Sequence, residues 1–168
     1  MRRKSYREIE CNLFRSPASK IVSLPTNNGG MFHMEMVIDF PGGARVDAHF
    51  GPYTIKTDQP PAGGGEGSAP TPFATFLASI GTCAGIYVLG FCQQRGLSSD
   101  GIRIIQRMYT DPFTGMVGKV GLEIQVPSSF PEKYRPSLVR AAELCAVKKH
   151  FERAPEFDIV TKEVELAN

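Results

Sequence analysis

The chain has 168 residues, 21% charged and 42% hydrophobic, with a formal net charge of +2. That suits one domain with a real core, or a small domain plus an arm, and it argues against an electrostatically driven nucleic-acid partner. The four cysteines contain no paired C-x-x-C, so neither a metal knuckle nor a disulfide-stapled secreted scaffold is expected.

The opening MRRKSYREIECNLF is basic with no apolar run behind it, which does not read as a secretory signal. A cytoplasmic, reducing location follows as the expectation. Residues 1–30 read as an N-terminal arm, because Pro17, Pro25 and Asn27-Asn28-Gly29-Gly30 oppose a regular element. Residues 31–168 read as a single domain.

From Met31 the hydrophobic period becomes two. Phe32, Met34, Met36, Ile38 and Phe40 alternate with polar neighbours, which predicts a half-buried strand. Pro41-Gly42-Gly43 turns the chain into a second strand, Ala44 to Phe50. Gly51-Pro52 turns it again into a third, Tyr53 to Thr57. Short turns between consecutive strands predict an antiparallel meander. The following DQPPAGGGEGSAPT has glycines but no Lys-Ser/Thr pair and no dinucleotide fingerprint, so it reads as a connecting loop rather than a phosphate cradle.

Pro72 to Gly96, PFATFLASIGTCAGIYVLGFCQQRG, predicts the central helix. Thr71 is placed to cap it, Pro72 suits the first helical position, and Gly96 suits the left-handed stop. Its uncharged stretch is about as long as a membrane span. Gly81, Gly85, Gly90, Thr75, Ser79 and Thr82 interrupt it, however, and no basic cluster flanks it closely. The reading is a core helix, apolar on every side and therefore buried all round. Ile102 to Tyr109 and Val117 to Val126 predict two more strands, joined through Asp111-Pro112 and Thr114-Gly115. A second helix is expected from about Pro131 to Glu152, with Pro136 separating a short first turn from the main segment and Leu138, Ala141, Ala142 and Cys145 on one face, and a last strand from Phe157 to Leu166. The class is α+β with antiparallel sheets around two central helices. One such sheet and one amphipathic helix cover the apolar helix poorly, so a homodimer that buries the central helices is expected.

Cys83 and Cys145 are the leading chemical pair. Cys92 lies nine residues after Cys83, which puts it on the opposite side of the helix and about 13 Å further along. Those two cannot bridge. Cys11 lies in the arm, so the pair able to meet is Cys83 with Cys145. The competing reading keeps both as small, separate core residues. A reactive thiol needs a nearby cation, and Arg45 is the candidate; a cross-strand ion pair with Asp39 or Asp47 is its alternative role. His33, His49 and His150 fall in different elements, so no metal site is expected. Lys148-Lys149-His150 reads as a solvated helix end. Tyr87, one turn past Cys83, could line a pocket or simply pack in the core.

The segments APTPFATFLASIGTCAGIYVLGFCQQRGL and AAELCAVKKHF, and more weakly FPGGARVDAHFG, resemble the motifs of the OsmC/Ohr family. The resemblance implies an OsmC-like α+β fold, an intertwined homodimer, and an active site at the dimer interface. It makes Cys83 the cysteine that attacks a peroxide, Cys145 the one that resolves it, and Arg45 the activating cation. Phe73 stands where the family's helix start carries a glutamate paired with that arginine. Ala146 and Lys148 stand where proline and serine are common.

The implied activity is thiol-dependent reduction of organic hydroperoxides through a sulfenic acid and a Cys83–Cys145 disulfide, restored by an external dithiol. Phe73, Phe76, Ile80 and Tyr87 are the expected substrate pocket. No cofactor, metal, nucleic acid or membrane is expected to take part. Two alternatives remain: a non-catalytic dimer that binds an apolar ligand, favoured by Phe73, and a cysteine-based redox sensor.

Overall fold

A computed structural model describes residues 34–164. The arm, Cys11, His33 and the end of the expected last strand lie outside the described residues. The chain divides into two compact units between Ala69 and Pro70.

In the first unit, β1 (Val37–Gly42), β2 (Arg45–Phe50) and β3 (Tyr53–Ile55) form an antiparallel sheet in that order. Val37 faces His49, Asp39 faces Asp47, and His49 faces Thr54. The expected meander is present, with shorter first and third strands. Met34, Met36, Val37, Ile38 and Phe40 are exposed, so the alternating pattern has no cover among the described residues of this unit.

The glycine-rich loop is organised around a carboxylate. Asp58, only 1% exposed, accepts hydrogen bonds from the N–H groups of Gln59, Glu66 and Ser68 and from the Ser68 hydroxyl, at 2.8 to 3.2 Å. Those amides therefore already serve an anion of the chain itself. Gly65 is required where the loop folds back: a Cβ there would overlap the Gln59 carbonyl and stand 2.6 Å from Asp58 Oδ1. The two bonds from Ser68 are the main reason the Asp58 carboxyl sits at about 2, below its ordinary 3.8. A lowered carboxyl stabilises the loop fully above its unfolded value and loses that contribution as pH falls toward the folded one. Acidification from about pH 4 to about pH 2 should thus lower the protection of the Glu66 and Ser68 amides relative to their intrinsic exchange rates. Asp58→Asn should show fast exchange there already at neutral pH. Slow exchange in that variant would refute the role given to the carboxylate.

The second unit holds α1 (Pro72–Gln93), β4 (Arg103–Thr110), β5 (Val117–Gln125), α2 (Arg135–Ala142) and α3 (Ala146–Glu152). Thr71 Oγ1 accepts the Ala74 N–H at 3.1 Å and so caps α1. At the other end Gly96 takes φ 63, its N–H bonds the Gln93 carbonyl at 3.3 Å, and the Leu97 N–H bonds the Cys92 carbonyl at 3.0 Å. This is a Schellman stop, and glycine supplies the left-handed residue it needs. β4 and β5 pair antiparallel from Arg103↔Gln125 to Thr110↔Val117. Asp111 Oδ1 fixes their turn by accepting the Phe113 and Thr114 N–H groups.

The core of this unit is one cluster: Ala84, Val88, Phe91 and Cys92 from α1, Phe130, Leu138 and Ala142 from the α2 region, and Cys145. Among the described residues of this unit, the helix expected to be buried all round is buried on one face. Ile80, Ala84, Val88 and Phe91 recur at helical spacing and are buried, whereas Phe73, Phe76, Ile86 and Leu89 are exposed. Among the described residues of this unit there is apolar cover for a single face only. Among the described residues α1 is also the one helix long and apolar enough to cross a membrane.

Two expectations are corrected. The separate first turn expected before Pro136 is a 3-10 turn (Glu132–Tyr134), but the main helix that should follow to Glu152 is split into α2 and α3 by a break at Glu143 to Cys145. A sulfur side chain capping the new helix start drives that break, as described below. Residues 154–164 form no strand. A strand needs a ladder partner, and Phe157, Ile159, Val160 and Val164 are exposed instead of packed.

Candidate functional site

The candidate site is built where α1, the break before α3, and β5 converge. Cys83 sits midway along α1, is half-buried, and packs against the core cluster. Cys145 is 1% exposed and lies outside both flanking helices as the N-cap of α3. Its Sγ accepts the Lys148 N–H at 3.5 Å, and its thiol donates toward the Ile80 carbonyl at 3.8 Å. The Ile80 carbonyl lies on α1 less than one turn before Cys83. This brings the two expected cysteines together: the Cys145 thiol also interacts with that of Cys83.

Burial is the main force on Cys145 and pushes its thiol above the usual 9.0; the Lys148 N–H opposes the shift and the Cys83 thiol adds to it. At neutral pH Cys145 is therefore a neutral thiol. Cys92 is fully buried in the core, where desolvation also raises its thiol against the opposing charge of Arg95. Its place nine residues after Cys83, on the far side of the same helix, keeps it from bridging that thiol.

A cleft of about 730 Å³ opens beside Cys145. Phe73, Phe76, Leu77 and Ile80 of α1 form one wall, residues 115–120 and Leu122 another, and Ala142, Cys145, Lys148 and Phe151 the third. Three of the four expected pocket residues are there. Tyr87 is not among them: it lies about 10 Å along the helix from Ile80, where the α1 wall ends. Cys83 itself does not line the cleft. Phe73 stacks on Phe76 at 5.8 Å, and Phe76 meets Phe151 at 5.4 Å. The position that carries a glutamate in the resembling motif thus begins an aromatic row.

Lys119, Met116 and Phe151 were not legible as site residues, and Lys148 read as a solvated helix end. Lys148 and Phe151 stand three apart on α3, a spacing that puts both on one face. That signal is visible only once the helix is known to restart at Ala146.

Arg45 belongs to the first unit, where its Nε donates to the Gly42 carbonyl at 3.2 Å. Its alternative role as an ion-pair partner is not what forms. Asp39 Oδ2 lies instead 3.1 Å from His49 Nε2, and Asp47 accepts the Thr57 N–H. His49 also meets the Thr54 hydroxyl at 3.0 Å, and His150 meets the Ala146 carbonyl at 2.8 Å. Among the described residues no group of three His, Cys, Asp or Glu could hold a metal ion.

A family model described as OsmC-like protein matches residues 65–160, more than half of the chain. The chain belongs to the OsmC-like protein family. No curated protein matches it. Solved structures share the OsmC-like α+β fold. A Psychrobacter arcticus protein assigned provisionally to osmotic stress induction and the detoxification response is 21% identical, with a TM-score of 0.58 over 71% of this chain and 90% of that one. An OsmC-like protein from Mycoplasma pneumoniae is 12% identical, with a TM-score of 0.55 over 73% and 89%. A Legionella pneumophila protein described as organic hydroperoxide resistance protein OsmC is 18% identical, with a TM-score of 0.50 over 74% and 93%. The matched 65–160 includes Cys83, Cys145 and the cleft, but not Arg45.

Proposed function

We propose that this OsmC-like protein is a thiol-dependent reductase of organic hydroperoxides, working in the cytoplasm as a homodimer. The observation that carries the reading is the meeting of Cys83 and Cys145 beside an apolar cleft. The asymmetry between the two thiols supports their roles: half-buried Cys83 is the reachable nucleophile, and buried, protonated Cys145 is the resolving partner held in reserve.

In the first step the Cys83 thiolate attacks the distal peroxide oxygen. The O–O bond breaks, the alkoxide takes a proton and leaves as an alcohol, and Cys83 becomes a sulfenic acid. In the second step Cys145 sulfur attacks the Cys83 sulfur and hydroxide leaves as water. One hydroperoxide and two thiols thus give one alcohol, one water and one disulfide. An external dithiol returns the pair to thiols by exchange. Arg45 is the proposed activating cation. The uncovered apolar face of α1 and the exposed Phe40 and Ile38 of the sheet support a second subunit as cover.

One equivalent of cumene hydroperoxide added to reduced protein should remove two thiols and leave a Cys83–Cys145 link on peptide mapping. Unchanged thiols, or oxidation that persists in Cys83→Ser, would sink the reading. A second reading, a non-catalytic dimer that holds an apolar ligand, is favoured by the aromatic row that begins at Phe73. Co-purified lipid on native mass spectrometry with no thiol oxidation would decide for it.

A further inference from the structure

The helix α3 is weakly held, and one of its fastenings is a reactive sulfur. It spans seven residues, none of them buried, and a helix that short is marginal by itself. Val147 packs partly buried against the core, and Phe151 rests on Phe76 at 5.4 Å. Lys148 Nζ lies 3.8 Å from Glu152 Oε1 on an exposed pair, where such contacts weigh little. The remaining restraint is the N-cap. Its acceptor is the Cys145 sulfur, which takes the Lys148 N–H at 3.5 Å. The same thiol donates toward the Ile80 carbonyl at 3.8 Å and so ties the start of α3 to α1.

A disulfide with Cys83 acts on both bonds. The S–H is lost, so nothing is left to donate to the Ile80 carbonyl. A disulfide also accepts only a narrow geometry, which draws the sulfur toward Cys83 and off the Lys148 N–H. Reduction then meets an obstacle. Exchange requires a thiolate to reach a disulfide sulfur, yet Cys145 is 1% exposed, and the cleft wall that carries it also holds Lys148 and Phe151 of α3.

We propose that oxidation of the Cys83–Cys145 pair uncaps α3, and that the released helix opens its wall of the cleft so that an external dithiol reaches the disulfide. This rests on the disulfide of the peroxide-reductase reading, but not on which oxidant forms it. Reduction restores the S–H, the cap and the closed wall, so the device resets with each cycle. Cys145 is then both the resolving thiol and the catch that holds α3 in the reduced state.

Amide exchange followed by NMR on the full chain, before and after diamide, tests the release. Diamide takes two electrons and two protons from the thiol pair, becomes the corresponding hydrazine, and brings no peroxide. Two amides separate the outcomes. The Lys148 N–H loses its sulfur acceptor directly. The Arg153 N–H bonds the Lys149 carbonyl at 3.1 Å at the far end of α3 and responds only if the helix itself lets go. Protection at both should fall about threefold or more, the scale of a lost cap, while Val88 in α1 stays unchanged. Cys83→Ser, treated in the same way, should form no such link and keep α3 protected. Loss at Lys148 alone, unchanged protection at both, or no Cys83–Cys145 link after diamide would overturn the proposal. Phe151→Ala removes the aromatic anchor of α3 and should speed reduction of the link by dithiothreitol severalfold; an unchanged rate would count against the opening. If diamide links the pair and releases α3 while cumene hydroperoxide leaves both thiols free, the peroxide-reductase reading fails and the release stands.

Discussion

Cys145→Ser should separate the two halves of the proposed cycle. One equivalent of cumene hydroperoxide should then consume one thiol rather than two, and Cys83 should accumulate as a sulfenic acid that dimedone traps. The serine oxygen can still accept the Lys148 N–H, as the sulfur does now, so α3 keeps its cap and the variant should fold. Turnover should fall roughly a hundredfold. The reason is concentration: an intramolecular thiol acts at an effective millimolar level or above, whereas an external thiol supplied at about ten micromolar must collide to resolve the sulfenic acid. The pH dependence adds a second signature. Burial raises the Cys145 thiol from 9.0, so its reactive thiolate is scarce at neutral pH. Because the thiolate is the attacking form, disulfide formation in the natural protein should rise about tenfold per pH unit up to and beyond that ordinary value. In Cys145→Ser this slope should disappear from the stopped-flow trace. Loss of two thiols in Cys145→Ser, with a new link from Cys83, would end the assignment of Cys145 as the resolving residue.

How far the sequence led to this site depends on which residues were asked. The strands, the central helix and its Thr71 and Gly96 ends are written in local patterns: a period of two, a capping hydroxyl, a glycine stop. The nearness of the Cys83 and Cys145 thiols was also reachable, because helix geometry excludes Cys92 and the family motifs name both positions. What stayed hidden was set by tertiary contact. Nothing local between Arg140 and Lys148 breaks a helix: there is no proline or glycine, and Leu138, Ala141, Ala142 and Cys145 keep helical spacing. The break depends on Cys145 turning its sulfur onto the Lys148 N–H while its thiol reaches the Ile80 carbonyl, a contact sixty-five residues away in sequence. Lys148 and Phe151 enter the cleft only because of that restart, so composition alone left them as a charged helix end. The failed strand after Pro155 has the converse cause. Phe157, Ile159 and Val164 carry a strand-like composition, but a ladder requires a neighbour, and this stretch has none among the described residues.

The same dependence on distant contact makes Leu138→Ala the substitution expected to cost most in stability. Leu138 is 1% exposed and sits in α2 against the α1 residues Ala84, Val88 and Phe91. Truncation removes its transfer energy and leaves a cavity between two helices that cannot easily collapse, a loss of about 2 to 5 kcal/mol. For a domain whose total stability is about 5 to 15 kcal/mol, that is a large share. The melting temperature should drop by roughly 5 to 15 °C. Val139→Ala is the control. Val139 is the next residue on the same helix but 50% exposed, and its truncation should change stability by no more than about 0.5 kcal/mol. The effect should also reach the chemistry. α2 leads directly into the break that carries Cys145, so a loosened α1–α2 contact should slow disulfide formation more than it slows the first oxidation of Cys83. Equal melting temperatures for the two variants would mean that α2 is not held by this core. A destabilised Leu138→Ala with an unchanged resolving rate would mean that Cys145 is positioned by its own bonds to Ile80 and Lys148 alone.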